Sequence, residues 1–191
     1  MTRLYLAGPE VFHPDALALG AAKKQACTRF GFVGLYPLDG SSIGATPPDA
    51  MAIYDRCVAL MHEADAGIFN LTPFRGPSAD VGTVLELGVI ATLGKPVFAY
   101  THAAGDLIDR LRRDPGLTFD AESGQWIDEE GMSAEDFGLS DNLMLDGTLA
   151  RQGRAVHRVA VPDAERFTRL DGFLACLDEA RLALAVSTGR T

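Results

Sequence analysis

Long apolar runs are missing from this chain of 191 residues. Nothing in it approaches the ~20 consecutive apolar positions of a membrane span, so a membrane protein of the helical kind is not expected. Cysteine is scarce: Cys27, Cys57 and Cys176 are odd in number, widely spaced and without a CxxC pair. That pattern suggests neither a disulfide framework nor a zinc site. His13, His62, His102 and His157 are scattered without ligand spacing, so no metal is expected and none of them reads as catalytic. Positive charge is also in deficit, with 17 Lys and Arg against 26 Asp and Glu and a net charge of -9. A nucleic-acid polymer or an anionic membrane surface is therefore an unexpected partner, whereas a small neutral ligand is not excluded. The opening MTRLYLAGPEVF has one Arg and an apolar run too short for a secretory signal, which sets the expectation of a reduced, cytoplasmic protein.

What is present is an ordinary globular mixture, 47% hydrophobic and 23% charged, long enough for one domain with a sizeable core. RLYLA at 3–7 reads as a buried strand ending at Gly8-Pro9. Helical spacing runs from Asp15 to Arg29, and FVGLYPL at 32–38 suggests a second strand. A Gly, Ser and Pro-rich loop at 38–49 precedes a helix from Asp49 to Ala64. DAGIFNL at 65–71 is a third strand, Asp80 to Leu93 a helix closed by Gly94-Lys95-Pro96, and PVFAY at 96–100 a fourth strand. Residues 102–140 look like an irregular surface excursion. A helix at 141–150, a last strand in HRVAV and a closing helix from Asp163 to Ala185 complete the chain. The alternation implies a parallel sheet with helices on both faces, in one domain spanning 1–191.

The stretch PFRGPSADVGTVLELG at 73–88 sets a turn-rich loop before an apolar helix that carries one acid, Glu86. In an open parallel sheet such a loop lies where ligands bind, beyond the carboxyl ends of the strands. Asp80, Thr83 and Glu86 recur every three residues. They fit a narrow solvent stripe on a buried helix, and they fit equally a ligand-facing acid. Glu86 leans toward the helix N-terminus, over Thr83 and Gly82, and Gly82 leaves space above the carboxylate. A helix-interior glycine costs ~1 kcal/mol relative to alanine, which either ligand room or close packing on the sheet would justify. Two carboxylates near one mouth are what glycoside chemistry needs. Arg75 could reach a phosphate, although one arginine in a loop is more often just solvated, and the acidic run at 128–130 reads as a solvated face.

YLAGPEVF at 5–12, PFRGPSADVGTVLELG at 73–88 and DNLMLDG at 141–147, in this order, resemble the nucleoside 2-deoxyribosyltransferases. The resemblance runs from Tyr5 to about Gly147, and its most specific block is Asp-x-Gly-(Ser/Thr)-x-x-Glu. It implies a flavodoxin-like (Rossmann-like) α/β fold. It also implies transfer of a 2-deoxyribosyl group between nucleobases without metal or organic cofactor. By that resemblance Glu86 is the nucleophile that attacks C1′, Tyr5 orients it, and Asp80 faces the nucleobase as a proton donor. Gly8, Phe12, Cys57 and Gly82 fall at substrate-binding positions. Asn142 and Met144 belong to a segment that enters a neighbouring subunit's site, which implies a homo-oligomer with shared sites. The substrates implied are a deoxynucleoside and a free nucleobase.

One position departs from the family pattern. The helix before the third strand usually offers Asp or Asn to the sugar 5′-hydroxyl, and alignment on Asp65-Ala66 puts Cys57 there. A thiol is a weak hydrogen-bond partner, and Asp55, two residues earlier, faces nearly the opposite side of the helix. Looser sugar binding, or a substrate modified at the 5′ position, follows from one interpretation. A small buried residue whose loss a water makes good follows from the other. Two rivals to transfer remain at this level. One is hydrolysis of deoxynucleosides or their 5′-monophosphates, and the other is a non-catalytic nucleotide sensor of the same fold. Product analysis with and without added base separates the first, and absence of any base release would favour the second.

Overall fold

The computed structural model describes residues 1–40 and 49–187. Five strands form a parallel sheet: β1 (Arg3–Ala7), β2 (Val33–Leu35), β3 (Ala66–Asn70), β4 (Val97–Thr101) and, last in the chain, His157–Arg158. Their spatial order is β2, β1, β3, β4 and then the His157–Arg158 strand, all parallel. This is the flavodoxin-type doubly wound order. Its switch point lies between β1 and β3, where a crevice opens beyond the strand ends.

The strands are nearly all apolar because both faces of the sheet are covered. Alternation divides each strand between two cores. Leu4, Leu6, Ile68, Phe98 and Tyr100 pack with Ala26 and Cys27 of α1 (Ala16–Arg29) and with residues of the last helix. Tyr5, Ala7, Phe69, Val97 and Ala99 face the other way, toward Met61 of α2 (Ala50–Glu63) and Leu87 and Ile90 of α3 (Val81–Thr92). Each fully buried Leu, Ile or Phe contributes about 2 kcal/mol before chain entropy offsets it. Asp49 caps α2 by accepting from the amides of Met51 and Ala52. Asp80 caps α3 through the Thr83 amide at 2.9 Å. The two helices that flank the crevice therefore start where short acidic side chains satisfy their first free N–H groups.

The structure revises several sequence expectations. The second strand covers only Val33–Leu35, because Tyr36–Asp39 closes into a turn in which the Asp39 amide donates to the Tyr36 carbonyl at 2.8 Å. The loop expected at 38–49 lies, for residues 41–48, outside the described residues. The segment 102–140 is more regular than its composition suggests. It contains α4 (Leu107–Leu111) and an antiparallel sheet of β5 (Thr118–Asp120), β6 (Gln125–Ile127) and β7 (Ser133–Ala134). Gly124 and Gly131, both at positive φ, make the reversals possible. Trp126 anchors this sheet against Phe119, and Arg112 lies over its ring at 4.4 Å. After α5 (Leu143–Arg151), only His157 and Arg158 of HRVAV pair with β4, forming β8. The closing helix α6 is Asp171–Ser187, preceded by a separate 3-10 turn at Asp163–Glu165. Its start is fixed by the Gly172 amide, which donates to His102 Nε2, and by close contact of Gly172 with the Tyr100 ring. Among the described residues, no helix is long and apolar enough to cross a membrane.

Candidate active site

Tyr5 occupies the middle of β1, and its side chain passes through the core toward α3. Its hydroxyl donates to Glu86 Oε1 at 2.5 Å, a contact across 81 residues of sequence. Glu86 lies on the half-buried inner side of α3, next to the fully enclosed Thr83 and Leu87. The solvent-stripe alternative for Asp80, Thr83 and Glu86 is thereby removed, since Thr83 is 2% exposed. Val81 and Leu85, 82% and 62% exposed, face outward, while Thr83 and Glu86 share the inward side with Leu87 and Ile90.

Burial raises the Glu86 carboxyl from its ordinary value to about 7. The Tyr5 hydrogen bond opposes that rise by favouring the ionised form, and the charge of Asp80 adds to it. Burial, followed by the charge of Glu86, pushes the Tyr5 phenol well above its ordinary range, so it stays a neutral donor. Cys57 touches the same cluster. It hydrogen-bonds with Tyr5, and burial together with Glu86 raises its thiol. Tyr5, Cys57, Asp80 and Glu86 are thus mutually close, drawn from β1, α2 and the start of α3.

Asp80 Oδ2 receives both the amide and the hydroxyl of Thr83, at 2.9 and 3.0 Å. Gly82 lies exposed beside it, and a Cβ there would come within 3.2 Å of Asp80 Oδ2. The glycine therefore leaves room at Asp80 in the first turn. Gly8 is buried at the end of β1, and a Cβ would approach Glu10 Oε2 and Asn70 Cβ within 2.3 and 2.6 Å. It permits the β1 and β3 termini to meet. Phe12 is exposed and stacks on Phe74, with ring centres 5.3 Å apart and planes 8° from parallel. Asn142 and Met144 are exposed at the start of α5, and among the described residues neither side chain hydrogen-bonds with Tyr5 or Glu86. Asn142 Oδ1 caps that helix through the Met144 amide, and its Nδ2 donates to Glu135 at 2.6 Å.

Sequence reasoning missed the frame that holds these loops. Arg110 donates to the carbonyls of Pro77 and Ser140, each at 2.6 Å, and lies 3.5 Å from Asp141. Asp141 accepts from the Ala79 amide at 2.9 Å. Behind Gly8, the fully buried Glu10 is paired with buried Lys23 and receives Asn70 Nδ2 at 2.9 Å. Lys23 alternates with apolar positions on α1, and a lysine in such a pattern looks solvent-facing.

The chain is similar to known proteins in sequence and in structure. The family described as nucleoside 2-deoxyribosyltransferase matches residues 4–144. An uncharacterised protein of Schizosaccharomyces pombe is 33% identical, with 78% of each chain covered. A 2-deoxyribosyltransferase from Leishmania mexicana superposes with a TM-score of 0.62 at 28% identity, covering 89% of this chain and 97% of that one. A conserved protein of Enterococcus faecalis has the same fold, with a TM-score of 0.55 at 20% identity, covering 94% and 98%. An enzyme of deoxyribosyltransferase type is what these likenesses support. The chain belongs to the nucleoside 2-deoxyribosyltransferase family.

Proposed function

We propose that this protein transfers a 2-deoxyribosyl group from one nucleobase to another through a covalent intermediate on Glu86. The observation that carries the proposal is the 2.5 Å hydrogen bond from Tyr5 to Glu86 inside the half-buried cluster. It fixes one carboxylate oxygen and leaves the other available to the sugar. The ionised carboxylate attacks C1′, and the bond from C1′ to the base nitrogen breaks with its electrons going to the base. Asp80, facing the base, relays a proton from solvent to the departing base. A second base then attacks C1′ and releases Glu86, so each difficult displacement is divided into two easier ones. Deoxyribosides react faster than ribosides, because a 2′-hydroxyl withdraws electrons from the oxocarbenium-like centre and crowds the carboxylate.

Assembly belongs to the same proposal. The outward face of α3 exposes Val81 and Leu85, and α2, packed beside it, exposes Met51, Ile53 and Tyr54. Such a patch supports association with a second copy of the chain. Asn142 and Met144 would then complete a neighbour's site, with Asn142 leaving Glu135 for a sugar hydroxyl. Hydrolysis is the second possibility, since water can take the place of the acceptor base. Cys57, set against Tyr5 and Glu86, favours a substrate that asks little of the 5′-hydroxyl position.

The test is incubation with a panel of deoxynucleosides, with and without free adenine. New nucleosides should form, and intact-mass analysis should find a deoxyribosyl adduct that is absent from Glu86→Ala. Base release unaffected by the acceptor would replace transfer by hydrolysis. No release from any deoxynucleoside would defeat the proposal.

A further inference from the structure

Four arginines line a cleft of about 450 Å³ to which the loop before Asp80 contributes Pro73, Arg75, Gly76 and Pro77. Arg75, Gly76 and Pro77 form one wall, Arg110, Arg113 and Asp114 a second, and Asp163 with Arg166 a third. The walls follow β3, β4 and β8, so the cleft lies beyond the carboxyl ends of parallel strands, as ligand sites do in such sheets. We propose that this cleft is an oxyanion site that takes a phosphate group, separate from the pocket for sugar and base.

Charge is the first argument. Of the four guanidiniums, Arg110 is paired with Asp141 and Arg166 with Asp163, while Arg75 and Arg113 have no carboxylate partner among the described residues, in a chain whose net charge is -9. A local excess of cations on an acidic protein is held together at a cost in mutual repulsion, and a bound anion removes it. The unused donors are the second argument. Arg166 Nε is shut off from solvent and has no hydrogen-bond partner, while one terminal nitrogen lies 3.3 Å from Asp163. That guanidinium lies 4.9 Å from the Phe167 ring centre, which holds it at the cleft wall. Arg113 is exposed, and its guanidinium makes no hydrogen bond or ion pair within the described residues. Arg110 is already committed to the Pro77 and Ser140 carbonyls and supplies fixed charge rather than new bonds.

Arg75 supplies the third argument. Among the described residues it is the sole non-glycine with positive φ, at 57°. That conformation costs roughly 1 kcal/mol, and such strain concentrates at ligand clamps. Its guanidinium lies 4.6 Å from the Phe74 ring centre and 5.3 Å from that of Phe12, so the aromatic pair holds it over the loop. The edge-on contact of Phe74 with Phe167, one residue from Arg166, ties the two sides of the cleft together. A planar fork held in this way suits the oxygens of a phosphate.

The anion has two possible sources, inorganic phosphate or the phosphate of a nucleotide, and one calorimetric experiment on the full-length chain distinguishes them. Inorganic phosphate is titrated at constant ionic strength, to about 10 mM, which detects binding as weak as a millimolar Kd. One site per chain is expected, weakened about tenfold or more in Arg75→Gln and in Arg113→Gln. Neither side chain makes a structural hydrogen bond, so both variants should fold. Glu86→Gln should leave phosphate binding unchanged, which makes the result independent of the proposed transfer reaction. A deoxynucleoside 5′-monophosphate should displace the phosphate, and the unphosphorylated deoxynucleoside should not. Tighter binding of the monophosphate identifies a nucleotide as the source, and equal binding identifies phosphate itself. No binding, binding indifferent to both arginine substitutions, or displacement by the deoxynucleoside would overturn the proposal.

Discussion

Two glutamates are enclosed at the carboxyl end of the sheet, and they are treated in opposite ways. Glu10, with no exposed surface, meets Lys23 on one oxygen and Asn70 on the other, so both its charge and its lone pairs are answered. Burial pulls the Lys23 ammonium down to about 7, and the neighbouring Cys27 and Cys176 work the other way. Glu86 has no cation for a partner: burial, with the charge of Asp80 added, lifts its proton affinity to about 7 against the opposing hydrogen bond from the Tyr5 phenol. A compensated carboxylate is inert and holds the β1 terminus to β3. An uncompensated one is poised to exchange a proton, or a bond to carbon, near neutral pH.

Breaking the second member of the comparison should have the largest effect on rate. Glu86→Ala is expected to lose roughly 10⁴-fold in turnover while melting as a folded protein, measured by product chromatography and thermal denaturation. Breaking the first should act on stability instead. Lys23→Met leaves a buried carboxylate without its cation and should cost about 3–5 kcal/mol in denaturant unfolding. Adding Glu10→Gln to it should recover much of that loss, because a buried amide is far less costly than a buried ion.

Glu86→Gln sharpens the contrast. The folded chain holds the Glu86 proton more tightly than the unfolded chain, with the carboxyl raised from 4.5 to about 7. That contribution is fully present below the unfolded value and is lost as pH rises through about 7. Wild type and Glu86→Gln should therefore be equally stable near pH 4, and Glu86→Gln should be the more stable near pH 8 by on the order of 2–3 kcal/mol. Paired urea melts at the two pH values measure this, and an equal difference at both would contradict it.

Tyr5→Phe should give the smallest effect. With Glu86 as the proposed nucleophile, kcat/KM should rise with pH through about 7. Removing the hydrogen bond that favours ionisation should move this limb to higher pH by about one unit. A merely structural role for Tyr5 would lower the plateau and leave the limb in place.

The sequence disclosed the sheet because its strands are unbroken apolar runs between Gly and Pro signals, and Tyr5, Asp80 and Glu86 because they stand in a recognisable block. It left open which way α3 faces. Asp80, Thr83 and Glu86 have the spacing of a solvent stripe, and only tertiary packing, which buries Thr83 and exposes Val81 and Leu85, decides the direction. Residues 118–134 were illegible for another reason. Strands of two or three residues are too short for any periodicity, and turn glycines alone define them. The Lys23–Glu10 pair and the Arg110 contacts join residues 13 to 33 positions apart, and charge pattern along a helix carries no information about such partners.

Arg110 has a consequence for binding entropy. Its guanidinium secures the carbonyls of Pro77 and Ser140, and Asp141 secures the Ala79 amide. The loop that ends at Asp80 is thereby ordered when the chain folds, not when a nucleoside arrives. Ordering a backbone residue costs about 1–2 kcal/mol, and for these positions that loss is charged to folding. A ligand meets a surface already shaped, and the energy of its own contacts remains available for the proposed alignment of C1′ with Glu86.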